Sequence, residues 1–236
     1  MKKKKHARWR WYEILLVGAL LGLPKAERNF YQLMTIFSNV GFIGYPVVNA
    51  VIGPEGMAFA ALFNLGFNLL IFTYGIVLLR QGQASVNWKT FLNAGTLSGV
   101  LAIVLLLTKL TVPTPVVSCL SYMGNAMTFF ASAIIGHSLA GTSFKKVLEN
   151  RKTYGFIVLR YLLVPILLGL ALKRVVSNDL LLNVFLLLLA MPAANMPLMM
   201  AQEYDMDTDT LTGGIVLSTV CSIVTITVVA TVVNML

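Results

Sequence analysis

The sequence predicts an all-α integral membrane protein, and three observations carry that expectation. Hydrophobic types make up 58% of the 236 residues and charged types only 11%, whereas a soluble domain uses about 25% charged residues to cover its surface. The apolar residues fall in continuous runs close to the roughly 20 that one helical crossing needs. Those runs lack the alternation over about ten residues that marks a spanning barrel. Helices are the other structure lipid accepts, because every backbone polar group must be satisfied internally.

Residues 1–10 (MKKKKHARWR) form a basic tail holding six of the 18 Lys+Arg and none of the nine Asp+Glu. The formal charge of +9 therefore falls to +3 without it. No basic face of the kind that binds nucleic acid is visible, and no nucleic-acid partner is expected. Residues 11–29 read as a partial or interfacial helix with its loop. Their apolar core, 14–23, is short for a crossing, and no small-residue cleavage pattern follows it as in a signal peptide.

Seven fuller segments follow, at about 30–52, 57–79, 88–108, 116–140, 154–172, 180–201 and 211–234. GPEG at 53–56 separates the first two, and polar RQGQASVN at 80–87 precedes the third. Pro113 and Pro115 mark the turn before the fourth, and the charged loop 141–153 precedes the fifth. KRVVSND at 173–179 leads to the sixth, and acidic EYDMDTD at 203–209 to the seventh. Loops 24–29, 80–89 and 141–153 hold eight basic residues against three in the alternate set. The positive-inside rule then places the first set, the 80–87 linker and loop 203–209 in the cytoplasm, and the C-terminus outside. The tail breaks this pattern if 11–23 crosses. The front of the chain accordingly reads as the remnant of a longer helix whose upstream part is absent.

Two segments differ from the rest. The first contains SNVGFIGYPVVN, with Asn39, Gly41, Gly44, Pro46 and Asn49 at membrane depth; the sixth contains AMPAANMPLMMAQEY, with Pro192, Asn195 and Pro197. Proline removes a backbone donor and clashes with the preceding turn, so both helices are expected to be interrupted. The freed backbone groups need protein or enclosed water as partners. Discontinuous helices of this kind point to a transporter binding site, where half-helix ends hold an ion or anion near the midplane. Asn39 and Asn195 are the leading ligands, since an amide offers a donor and an acceptor without a buried charge. Kinks made only for close packing are the competing reading.

Other residues carry weaker signals. Asn125, with Gly124 and Ser121, is a candidate for the substrate path. Asn64 and Asn68 share a face and read either as path or as interhelical glue. Arg160, the charge well inside the fifth segment, either pairs with an anionic substrate or snorkels to the cytoplasmic surface. Gly95, Gly99, Gly213 and Gly214 are expected to permit close helix contact. The methionines, such as Met196, Met199 and Met200, read as packing. Cys119 and Cys221 give no disulfide framework, and His6 and His137 give no metal spacing. Asp205, Asp207 and Asp209 lack the Gly and Glu of a calcium loop and read as a turn with Asp209 or Thr210 as N-cap. No Walker A, nucleotide-binding or hydrolase motif is present, so no catalytic residue, metal or cofactor is expected.

NVGFIGYP at 39–46 and MPAANMP at 191–197, continued by MMAQEYDMD, resemble the auxin efflux carrier family, notably its bacterial malate or organic-acid permeases. The likeness runs from about Pro24 to the C-terminus and includes Leu163–Val164–Pro165. It implies an inverted-repeat transporter fold of two five-helix repeats, with the fourth and ninth helices broken at prolines and crossing near the substrate. Residues 30–79 would complete the first repeat and 88–236 form the second, giving seven complete transmembrane helices plus a partial one at 11–23. Asn39 and Pro46 match the first crossover motif; Pro192, Asn195 and Pro197 fall in the second. The implied activity is secondary active transport of small organic anions, malate-like or auxin-like carboxylates, by alternating access at the cell membrane. Proton coupling is one option, membrane lipids are partners, and a homodimer is implied but weakened by the missing helices. The alternatives are a sodium-dependent bile-acid-type carrier and a non-transporting membrane fragment.

Overall fold

The computed structural model describes residues 27–79, 94–141, 149 and 151–235. The basic tail, the partial helix at 11–23 and the 80–87 linker lie outside them. The described chain is a helical bundle, and β-pairing within it is limited to one isolated bridge, Ser38 with Ala193.

Helix α1 (Arg28–Ile36) ends in an extended stretch at residues 37–39, and α2 (Val40–Val51) resumes beyond it. The sequence-based segment 30–52 is thus two half-helices. Gly53 turns the chain with φ of 108°, a conformation open to glycine because it lacks Cβ. Pro54 then opens α3 (Pro54–Leu79), where its missing N–H costs nothing at a helix start. Helix α4 (Ala94–Thr108) stops at Lys109, whose φ of 54° is a left-handed helix end. Helix α5 (Thr114–Gly141) is 28 residues long.

Helix α6 (Arg151–Leu172) widens to a π-turn over Val158–Leu163, just ahead of Pro165. Proline has no N–H and its ring crowds the carbonyl four residues back. The wider turn relieves that crowding: the Val164 amide reaches back to Leu159 O instead. Helix α2 uses the same device, with a π-turn over Val40–Gly44 ahead of Pro46 and Tyr45 N–H donating to Val40 O.

Helix α7 (Asp179–Ala190) is capped by the Asn178 side chain, which accepts from Leu181 N–H at 2.9 Å. After residues 191–195 the chain resumes as α8 (Met196–Glu203), so the sixth segment is also interrupted. Asp205, at φ 51°, closes the turn behind α8. Helix α9 (Asp209–Met235) follows, with Asp207 rather than Asp209 or Thr210 supplying the carboxylate that accepts the first amide, at 3.0 Å.

By length and composition three helices among the described residues can cross a membrane: α3, α6 and α9. The half-helices are too short individually. The core gathers around them: Tyr31, Leu33, Met34 and Phe37 pack with Phe156, Tyr161, Leu198 and Ile215, while Val40 and Val48 pack with Val184, Leu188 and Met191. Both clusters therefore join the first interrupted helix to the second. Leu107, Leu120, Phe129, Phe130, Ile223 and Val224 are exposed, an outward apolar face suited to lipid. Close helix contact at Gly99 and Gly214 matches the sequence expectation. A Cβ on Gly99 would come within 2.6 Å of Leu65 Cδ1, and one on Gly214 would strike the Met34 sulfur.

Candidate functional site

The two interruptions meet. Asn39 N–H donates to Pro192 O at 2.8 Å and Ala194 N–H donates to Phe37 O at 2.9 Å, an antiparallel pairing of two extended stretches centred on Ser38 and Ala193. This solves the backbone problem that each break creates, since amides and carbonyls released from one helix are taken up by the other. The remaining Ala193 N–H donates to Ser218 Oγ of α9 at 3.2 Å, and that hydroxyl donates on to Ile215 O at 3.0 Å.

Four half-helix ends converge there. Because the pairing is antiparallel, the carbonyl ends of α1 and α7 enter it from opposite directions, and the amide ends of α2 and α8 leave it likewise. Each helix end carries roughly half an elementary charge, negative at the carbonyl end and positive at the amide end. The crossover therefore brings two negative and two positive ends together, the carbonyl end of each interrupted helix facing the amide end of the other.

Asn39 is buried, and its Oδ1 accepts from Phe42 N–H at 3.2 Å, capping the start of α2. Asn195 is buried at the corresponding start of α8, yet its Oδ1 has no hydrogen-bond partner and makes no cap. A buried amide oxygen without a partner is unfavourable by roughly 1–3 kcal/mol. Gly44 lets the two halves approach: a Cβ on it would sit 2.8 Å from Leu188 Cδ2 and 3.5 Å from Met191 Cγ.

The remaining site candidates divide. Pro192 is buried in the pairing itself and Pro197 is buried in the first turn of α8. Pro46 is exposed in the turn that follows the π-turn of α2. It shapes that helix start without facing the buried crossover. Asn125 lies in α5, and its side chain is outside the described residues. Asn64 hydrogen-bonds the Tyr45 side chain, so it ties α3 to α2. Asp, Glu, His and Cys form no cluster of three or more able to hold a metal among the described residues.

Of the two courses read for Arg160 from the sequence, burial overturns the snorkelling one: the residue is 4% exposed. Its Nε donates to Thr35 O, its Nη1 to Leu189 O at 2.9 Å and its Nη2 to Ser38 Oγ at 3.3 Å. The neighbouring Tyr161 hydroxyl donates to Met34 O at 2.6 Å. The π-turn of α6 thus presents two consecutive side chains to the carbonyl end of α1, and Arg160 reaches that of α7 as well.

The polar seam of α9 was not among the expected site residues. Thr212, Ser218, Ser222 and Thr225 are buried, the last three on one face at four- and three-residue intervals. The hydroxyls of Thr212 and Thr225 lack hydrogen-bond partners. The sequence signal was present as Ser/Thr at three- and four-residue spacing within an apolar run, but it is as common in helix packing as in pathways.

The chain is similar in sequence to known proteins. A family model described as membrane transport protein matches residues 11–87 and 80–230. The chain is 27% identical over 203 residues to an uncharacterized transporter of Methanocaldococcus jannaschii, covering 82% of this chain and 65% of that protein. It is also 27% identical over 211 residues to an uncharacterized transporter of Methanothermobacter thermautotrophicus, covering 87% of this chain and 68% of that one. The chain thus spans about two thirds of the length of the curated relatives it matches.

Proposed function

Because the chain belongs to the membrane transport protein family, which is auxin efflux carrier-like and comprises transporters rather than enzymes, we propose that it moves small organic anions by alternating access, with the substrate held at the crossover. The observation that carries this reading is the pairing of the two interrupted helices, with the buried Asn195 side chain beside it capping neither helix. The amide ends of α2 and α8 add about one positive charge between them, suited to a single carboxylate. Asn39 and Asn195 would orient it, Asn195 Nδ2 donating to the carboxylate. Pro192 and Pro197 keep the break open, and Pro46 shapes the start of α2.

Labelled malate uptake into proteoliposomes containing the protein tests the proposal. Uptake lost in Asn195→Ala, with the protein still inserted, supports it. Equal uptake in the variant and the parent chain would refute the crossover site, and no uptake by the parent chain would favour the non-transporting reading. The sodium-dependent bile-acid-type alternative calls for clustered Ser, Thr, Asn and acidic ligands near the crossing. The first acid beyond Asn195 is Glu203, exposed at the far end of α8, so the anion reading has the better support. In the proposed orientation loop 203–209 is cytoplasmic and the C-terminus lies outside. A proton-coupled cycle and a homodimer belong to the same proposal.

A further inference from the structure

We infer that Arg160 is a built-in counter-cation of the crossover, holding the carbonyl ends of both interrupted helices and taking the place that a bound coupling cation would otherwise fill. The part concerning coupling rests on the crossover being the transport site; the part concerning geometry does not.

The carbonyl ends of α1 and α7 both lie within hydrogen-bond reach of the Arg160 guanidinium, and two negative helix ends repel each other. Together they amount to about one negative charge, which one guanidinium balances. Arg160 is placed to do so. Its Nε goes to Thr35 in the last turn of α1, its Nη1 to Leu189 in the last turn of α7, and its Nη2 to Ser38 in the break. None of these acceptors is a carboxylate, so the cation is matched to helix ends and not to an ion pair. An ammonium could not replace it, because the planar fork sends its donors in three fixed directions.

In transporters with interrupted helices, the carbonyl ends and unwound carbonyls are the groups that coordinate a driving cation. Here those same groups are already engaged by a cation that cannot leave. Arg160 also belongs to α6, a helix continuous through its π-turn. The fork therefore ties both interrupted helices to a third element. It is a positioning residue, acting on the substrate only through the breaks that it holds.

Hydrogen–deuterium exchange of the purified full chain tests this, read at peptides covering residues 37–42 and 191–196. Arg160→Ala is expected to speed exchange there several-fold while peptides of α5 exchange as before. Guanidinium ion at non-denaturing concentration should restore the protection, and urea at the same concentration should not. Arg160→Lys should be intermediate. Unchanged protection in Arg160→Ala, or equal rescue by urea, would overturn the inference. If Arg160→Ala does not insert, Arg160→Lys carries the test, and wild-type protection in that variant overturns the role of the fork. The parent chain should exchange identically in sodium and in choline, and sodium-dependent protection overturns the inference without any variant. Malate uptake should likewise be equal in sodium and in choline; stimulation by sodium overturns the inference and leaves the transport reading intact. Absence of malate uptake in both salts counts against the substrate reading, and the exchange results then decide the inference alone.

Discussion

Asn39 and Pro192 are joined across the crossover by a main-chain hydrogen bond of 2.8 Å, although one belongs to the first interrupted helix and the other to the second. Each supplies what the other break lacks. Asn39 has an amide outside any helix, and Pro192, with no amide of its own, still offers a carbonyl. The two asparagines that flank this junction then differ in what their side chains do, and that difference leads to the first expectation.

Asn39→Ala removes the acceptor of the Phe42 amide and should lower stability by about 1 kcal/mol, the usual cost of a lost N-cap. Asn195→Ala removes an oxygen that has no partner and should leave stability unchanged or slightly raised. Both should abolish uptake. Thermal melts in detergent beside uptake assays separate the two effects.

Gly44→Val should destabilise by about 1–3 kcal/mol, as overpacking does, because even a Cβ meets Leu188 Cδ2 at 2.8 Å. Gly41→Ala is the control, since a Cβ there meets nothing within 4 Å. Comparing their melting temperatures checks that the close approach, and not glycine content, matters.

Tyr161→Phe strips the donor from Met34 O and should cost about 1–3 kcal/mol, the penalty for a buried acceptor left without a partner. Ser218→Ala should cost a similar amount by orphaning the Ala193 amide, and Ser218→Thr should recover most of it. Chemical denaturation in detergent measures both.

In the proposed orientation, Lys173→Cys should react with a membrane-impermeant maleimide added outside intact cells. Asp207→Cys should react only after permeabilisation. The reverse labelling pattern would invert the topology.

Much of this fold was legible in the sequence because apolar run length and proline position act locally. All seven segments have helices in the described residues, and both interruptions were expected from Gly, Pro and Asn at membrane depth. What could not be read was how remote elements meet. The first break was expected around Gly41, Gly44 and Pro46, but the chain extends at Phe37–Asn39. Gly44 is used for close contact, and Pro46 sits in the helical turn beyond. Arg160 left two readings open because each depended on which face of α6 met which neighbour. Its actual partners, Thr35, Ser38 and Leu189, lie on two other helices and a break. Ser218 matters only because α9 brings its hydroxyl to an amide of the second break.

The two hydrogen bonds that pair the breaks across the Ser38–Ala193 junction run between main-chain atoms. That pairing makes little demand on the side chains of the paired residues, provided Gly44 stays small and Arg160 and Ser218 keep their bonds to it. Residues around the breaks can be exchanged over evolution to suit a different cargo, while the crossing that presents them is rebuilt from the same amides and carbonyls each time. A scaffold of this kind separates the inheritance of shape from the inheritance of taste.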